Sequence, residues 1–312
     1  ELTEEEQHIQ ADECLDEVVS KYKNSLMYET ERDTYMVKRL RKLLIRTVWA
    51  VTEQMKLGKF DTIESEFSFD ITEDNSSINE NKENMIHLIG RIDRIDEYKD
   101  DKCTYVKIVD YKTGKKDLSL SDLYYGLQMQ LVIYLKAAMD AKKEEKIVIP
   151  AGVLYYNIAN PVLEGKYDKD QINNEMLKSL KMRGIVNEDD PVLPLLDANF
   201  EAEPGVLPAM VSSVVAPFAT DKDGKLKKVS QAITTKDFDN IISYTQKNIA
   251  GMSKEIMDGK TEVNPYRKND AEGKTACDYC GYRGICRFDV RIPGNNYRVL
   301  NKLSDDDVLN RI

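Results

Sequence analysis

Asp110 and Lys112 stand two residues apart in IVDYKTGK, at the end of a run of β-branched and aromatic residues. Residues two apart on a strand share a face, so a carboxylate and an ammonium are presented side by side just before the turn signal Thr113-Gly114. Upstream, HLIGRIDRIDEY is separated from CTYVKIVDYK by the turn-like KDDK at 99 to 102. A hairpin centred between Asp101 and Lys102 opposes residues whose numbers add to about 203, which sets Asp93 across from Asp110. Two opposed carboxylates repel each other unless a cation lies between them. Oxygen donors suit a hard divalent ion, with Mg²⁺ the first choice. Lys112 is then placed to hold or polarise an attacking water, or to offset charge developing on a phosphoryl group. Glu66 in TIESEFSF, on the preceding strand, offers a third carboxylate. Taken singly, each of these residues also reads as a solvated acid or a surface ion pair; their ordered succession carries the chemical reading.

A second group of chemically capable residues is Cys277, Cys280 and Cys286 in CDYCGYRGIC. Thiolates this dense in a reducing compartment hold a metal, and their spacing does not separate zinc from an iron-sulfur cluster. Cys14, at an apolar position of the helical ADECLDEVV, and Cys103, on the hairpin, read as structural.

The elements that must position these groups follow from periodicity. Residues 2 to 57 read as helices, opened by a capping box from Thr3 to Glu6, with Met36, Leu40, Leu43, Leu44, Thr47 and Val48 at helical spacing. The opposite face, with Lys38, Arg39, Arg41, Lys42 and Arg46, reads as solvated, or as a surface for phosphates or a partner subunit. From 62 to 70 the period is two; 71 to 83 is a polar loop, and the antiparallel hairpin follows. A helix is expected from Asp122 to about Lys142 with Ser121 as its N-cap. The continuous apolar run IVIPAGVLYYNI, 147 to 158, predicts a strand inside the sheet. A helix near 170 to 183 is expected to close at Gly184, TDKDGKLKK reads as a turn or mobile loop, and a long helix runs from about Thr235 to Asp258. The fold class expected is α/β, a mixed central sheet flanked by helices with an irregular cysteine-containing C-terminal tail. The division expected is one domain over 1–312, with N-terminal helices at 1–57, a core carrying the acidic hairpin at 58–160, a helical and loop region at 161–260 and a cysteine-containing tail at 261–312.

Composition narrows the setting. With 45 Lys+Arg against 55 Asp+Glu the net charge is -10, so the field of the whole chain repels a polyanion and any nucleic-acid contact must be local. Five cysteines in 312 residues make no disulfide framework. There is no apolar run of about 18 residues and no leader of the signal-peptide kind, so a cytoplasmic protein with no membrane contact is expected. A start at Glu1 with a helical pattern close behind it predicts a piece of something longer.

Glu66, GRIDRID with Asp93, IVDYKTG with Asp110 and Lys112, and YYGLQMQLVIYL with Gln130 and Tyr134 together resemble the PD-(D/E)-x-K nuclease core. More narrowly they resemble the C-terminal nuclease domain of the AddB family, second subunits of bacterial helicase-nucleases, from about residue 2 to the end. The resemblance implies a metal held by Asp93, Asp110 and the carbonyl of Tyr111, with Lys112 catalytic and Glu66 the acid preceding the hairpin. It implies that Gln130 and Tyr134, one helical turn apart, face DNA or the catalytic acids. It further implies a 4Fe-4S cluster on Cys277, Cys280, Cys286 and one upstream cysteine, and therefore a cluster incomplete or absent in this chain. Relatives also carry a metal-binding histidine in a Gly-x-x-x-His context. Neither His8 nor His87 sits in one, so the metal site is expected to be one ligand short. The implied activity is a Mg²⁺-dependent exonuclease acting on single-stranded DNA in double-strand break repair by homologous recombination. The implied partners are DNA, an AddA-type subunit and the remainder of an AddB-type subunit. The rivals are a free-standing exonuclease with the same cysteine arrangement and a nuclease-fold binding platform, whose mark would be loss of Asp110 or Lys112.

Overall fold

A computed structural model describes residues 3–22, 30–73, 86–142, 146–165, 167–203 and 205–312. They fall into two compact units: Glu1–Ser68, Arg91–Leu118 and Tyr134–Phe238 form the first, and Phe69–Gly90, Ser119–Ile133 and Asp239–Ile312 the second. Most of the loop expected at 71 to 83 lies outside the described residues. No helix among those described is long and apolar enough to cross a membrane.

The first unit begins with α1 (Glu4–Lys21) and α2 (Glu31–Leu57). The expected capping box is present: Thr3 Oγ1 accepts the Glu6 N–H at 3.3 Å, and the Glu6 carboxylate accepts the Thr3 N–H at 2.7 Å. The basic face of α2 is only partly solvated. Lys38, Arg39 and Lys42 are exposed, while Arg41 reaches α1, pairing with Asp12 at 2.7 Å and Asp16 at 2.6 Å. Cys14 proves exposed, because its neighbours Ala11 and Leu15 take the more buried positions on α1.

The sheet is mixed, in the order β1 (Asp61–Glu73), β2 (Ile86–Lys99), β3 (Cys103–Lys112), β4 (Ile147–Asn157), β5 (Arg183–Asn187) and β6 (Ala232–Ile233). β2 and β3 pair antiparallel from Arg94↔Val109 to Lys99↔Thr104, the register expected from the turn. Asp100 makes that turn, its carboxylate accepting the N–H groups of Lys102 and Cys103. β4 lies parallel to β3 and antiparallel to β5, which explains its unbroken apolar run: both edges are paired and both faces are covered. On one face Val109, Leu154, Tyr156 and Val186 pack with Phe60, Phe200 and Phe218 in the main core. Gln54 of α2 is 2 % exposed and donates its amide to the carbonyls of Leu180 and Val214, fixing that helix to the core.

Two expectations fail at glycines. The helix expected from Asp122 is broken into α3 (Leu120–Tyr124), capped by Ser119 rather than Ser121, and α4 (Gln130–Asp140), with Gly126 at φ +77° between them. The helix expected near 170 to 183 is α5 (Lys169–Ser179), and Gly184 lies inside β5 instead of ending a helix. Its φ is +145°, and a Cβ there would collide with the Val153 carbonyl oxygen on β4. Gly184→Ala is therefore expected to cost at least about 2 kcal/mol, through both the strand contact and the backbone conformation. An unchanged urea midpoint would count against this packing. α6 (Val192–Leu196) supplies core leucines, and TDKDGKLKK is an ordered turn in which Asp221 accepts the N–H groups of Asp223 and Lys225.

In the second unit, α7 (Thr235–Met257) follows the expected bounds closely, although its first turn belongs to the first unit. Tyr244 of this helix stacks on Tyr124 at 5.5 Å and donates its hydroxyl to the Tyr124 carbonyl. β7 (Tyr266–Asn269) and β8 (Arg298–Asn301) pair parallel, and Lys268 bonds Asp122 at 2.7 Å. The cysteine segment contains one short helix, α8 (Arg283–Cys286), and the chain ends in α9 (Asp305–Leu309).

Candidate active site on the acidic hairpin

One step along the ladder from Arg94↔Val109, Asp93 takes the place opposite Asp110. Asp93 Oδ2 accepts the Tyr111 N–H at 2.8 Å, binding the two strands at the point where the carboxylates meet. In an extended strand the N–H and C=O of one residue point to the same edge, so the Tyr111 carbonyl also faces the β2 side. Asp110 is 2 % exposed, and its Oδ2 lies 2.6 Å from Lys112 Nζ. Burial pushes the Asp110 carboxyl above its ordinary value, Lys112 pulls against that shift, and the neighbouring Asp93 adds to it.

This donor set fits a hard divalent cation. Two carboxylates and a backbone carbonyl are presented from adjacent strands, and an added positive charge would offset both the burial of the Asp110 carboxylate and its repulsion by Asp93. Asp93, Asp110 and the Tyr111 carbonyl are the groups that would hold it. Glu66 does not join them: its carboxylate is paired with Arg91 at 2.7 Å and is 59 % exposed. Glu66 sits at φ +55°, a kink that breaks the two-residue alternation of β1 and turns the side chain to the guanidinium. Among the described residues no three His, Cys, Asp or Glu side chains are gathered as a metal-ligand set.

Neighbouring strands add groups that the motif does not include. Tyr155 of β4 stands directly beside Asp110 in the parallel ladder, and Lys112 Nζ lies over its ring, 5.7 Å from the centroid. Burial, then Asp110 and Tyr134, push the Tyr155 hydroxyl up to about 12, so it stays protonated beside the carboxylate. Asn157, two residues on, accepts the Lys116 N–H and donates to the Lys116 carbonyl, both at 2.9 Å, which pins the loop after Lys112 across the end of β4. Tyr134 on α4 thus belongs to the surroundings of Tyr155. Gln130, one turn earlier, opens the same helix, is exposed and belongs to the second unit.

The reverse face of the hairpin carries the second aspartate of GRIDRID. Asp96 is fully buried, takes a bidentate bond from Arg94 at 2.6 and 2.7 Å, and meets Lys107 at 3.0 Å. Thr62 of β1 donates to it at 2.8 Å, and Arg94 donates to the Tyr111 hydroxyl at 3.2 Å. Asp96 is three residues from Asp93 and so on the opposite face; it holds three strands in register behind the site.

The remaining sequence candidates lie elsewhere. His87 pairs with Asp70 at 2.9 Å in the second unit, and His8 is half-buried on α1. Cys280 and Cys286 are exposed, and Cys277 is half-buried with the Tyr297 hydroxyl hydrogen-bonded to it. These thiols do not form an assembled ligand set in this structure.

The chain is similar over nearly its whole length to bacterial proteins named as one subunit of an ATP-dependent helicase/deoxyribonuclease. That from Lachnoclostridium phytofermentans is 34% identical over 315 residues, covering 100% of this chain and 26% of the relative. That from Clostridioides difficile is 34% identical, covering 95% and 25%, and that from Clostridium acetobutylicum is 36% identical, covering 94% and 25%. The chain thus spans about a quarter of the length of these relatives. The profile of the PD-(D/E)XK nuclease superfamily matches residues 1–287. Carboxylates opposed across a hairpin, a lysine two residues beyond the second of them and this match over most of the chain agree: the chain belongs to the PD-(D/E)XK nuclease superfamily.

Proposed function

We propose that this chain is the metal-dependent deoxyribonuclease module of a helicase-nuclease and hydrolyses phosphodiesters of single-stranded DNA. The observation that carries the reading is the Asp93, Asp110 and Lys112 arrangement at the end of the hairpin. Asp93 and Asp110, with the Tyr111 carbonyl, are the cation ligands. Bound Mg²⁺ would supply charge neutralisation at the phosphate and a more acidic water. Lys112 donates from its ammonium to the attacked phosphate, offsetting charge as the water oxygen bonds to phosphorus and the ester P–O bond breaks. The proton lost by water passes to solvent, and the leaving oxygen is protonated in turn. The names of the relatives support a place as one subunit of an ATP-dependent helicase/deoxyribonuclease; the partners in this reading are an AddA-type subunit and the remainder of an AddB-type subunit, and the setting is double-strand break repair by recombination. A helicase motor would then supply most of the grip on DNA, consistent with a net charge of -10.

The test is cleavage of an end-labelled single strand with Mg²⁺ or with chelator. In the full-length subunit wild type is expected to cut only with Mg²⁺, and Asp93→Ala or Asp110→Ala to fall to the chelated level, whereas the 312-residue chain alone, one ligand short, is expected to cut poorly. Cleavage by the Asp110 variant at the wild-type rate would reject the site.

The cysteines carry a separate part of the proposal, a 4Fe-4S cluster in the complete protein. Its support is the resemblance to the AddB family, since the spacing of Cys277, Cys280 and Cys286 alone suits zinc as well. Because the three thiols are not gathered in this structure, the 312-residue chain is expected to purify anaerobically without a stable cluster, measured as iron, acid-labile sulfide and visible absorption. A stoichiometric cluster lost on Cys14→Ser would instead make Cys14 a ligand.

A further inference from the structure

The sheet register extends the acidic pair into a row. Asp110 of β3 is level with Tyr155 of β4, and Tyr155 is level with Arg183 of β5, so Asp93, Asp110, Tyr155 and Arg183 share one face across four strands. Strands are about 4.8 Å apart, which puts Arg183 roughly 10 Å from Asp110 along the row. Two residues before Arg183 stands Lys181, half-buried at the lead-in to β5.

These cations are poorly matched by acids. The one carboxylate paired with Arg183 among the described residues, Asp117, stands at 3.8 Å, too long for a hydrogen bond. Lys178, at the end of α5, is already paired with Glu175 at 2.6 Å. No described carboxylate lies within ion-pair distance of Lys181. Burial, and then the like charges of Arg183 and Lys178, disfavour its ammonium. Half-buried like charges crowded together with little acid to balance them are an arrangement that an anion stabilises. The side chain of Arg183 is 40 % exposed, so an anion can reach it.

We propose that Lys181 and Arg183 form a phosphate subsite for the DNA strand, which receives a backbone phosphate next to the one held at Asp93 and Asp110. The proposal rests on the nuclease reading and deepens it. The subsite sets the direction in which the strand lies, along the row from β2 to β5, and gives an acidic chain its local grip on a polyanion. Arg183 supplies fork-shaped donors to phosphate oxygens and Lys181 a point charge.

The test is binding of a fluorescein-labelled oligothymidylate to the 312-residue chain, followed by anisotropy in chelator across a salt series, with cleavage in Mg²⁺ measured separately. Each phosphate contact in a single strand contributes roughly 0.7 to the slope of log K against log salt. Lys181→Ala with Arg183→Ala is expected to weaken binding and flatten that slope by about 1.4. Lys181→Arg with Arg183→Lys is expected to restore the slope, which separates loss of charge from loss of fold. If wild type binds and cuts but the double alanine variant keeps its affinity and slope, or the charge-retaining pair fails to restore them, the subsite falls and the nuclease reading stands. If wild type neither binds the strand here nor, within the full-length subunit, cuts it, both fall.

Discussion

Lys112→Ala is expected to lower DNA cleavage by roughly 10²–10³-fold, the cost of removing one donor aimed at developing charge. Fold and cation binding should survive. The side chain is 32 % exposed, so its truncation opens little of the core. Its ammonium, 2.6 Å from Asp110 Oδ2, competes with a cation for the same oxygen, and removing it leaves that carboxylate more available. The variant therefore separates two roles that one activity assay would merge. Asp110→Ala is expected to lose both cleavage and Mg²⁺ binding by calorimetry, whereas Lys112→Ala loses cleavage alone. Lys112→Arg should not rescue, because a planar fork cannot reproduce a compact ammonium seated 5.7 Å over the Tyr155 ring. Cleavage by Lys112→Ala at a rate near wild type would remove Lys112 from the mechanism.

How far the sequence reached depends on the range of each interaction. The hairpin was legible because its register is local: one turn fixes every opposed pair, and Asp100 closes that turn with its own carboxylate. β4 was legible because burial on both faces writes a continuous apolar run. Gly184 was not, since a glycine that ends a helix and one that admits a neighbouring carbonyl look alike until β4 and β5 are known to pair. Tyr155, Asn157 and Arg183 were missed for the same reason: they lie 40 or more residues beyond the motif and reach it only through strand order. Glu66 was expected as a third carboxylate of the site, but Arg91, two residues before Asp93 and on its face, holds the Glu66 carboxylate instead. Asp96 was within reach. The two aspartates of GRIDRID differ by three positions, and an odd spacing on a strand places them on opposite faces.

That reverse face yields the largest expected effect on stability. Asp96→Ala strips the counter-charge from Arg94 and Lys107, whose side chains are each 6 % exposed. Removing one member of a buried ion group costs roughly 3–5 kcal/mol, because the charges left behind are neither hydrated nor paired. Complete burial already pushes the Lys107 amine below its ordinary value, so in the variant it would shed its proton before Arg94 could. A triple replacement, Arg94→Met, Asp96→Leu and Lys107→Met, is expected to be much less harmful than Asp96→Ala alone, since it removes the desolvation cost along with the attraction. The pH dependence has a definite sign. Burial opposes the ionised Asp96 carboxyl, but Lys107 and Arg94 outweigh it and hold the group below its ordinary 3.8. A depressed carboxylate contributes stability that is complete above the unfolded value and is lost as the pH falls through the folded one. The gap in urea midpoint between wild type and Asp96→Asn should therefore be widest near neutrality and narrow in acid. A gap that widened in acid, or an Asp96→Ala variant as stable as wild type, would show that Asp96 does not bind these strands together.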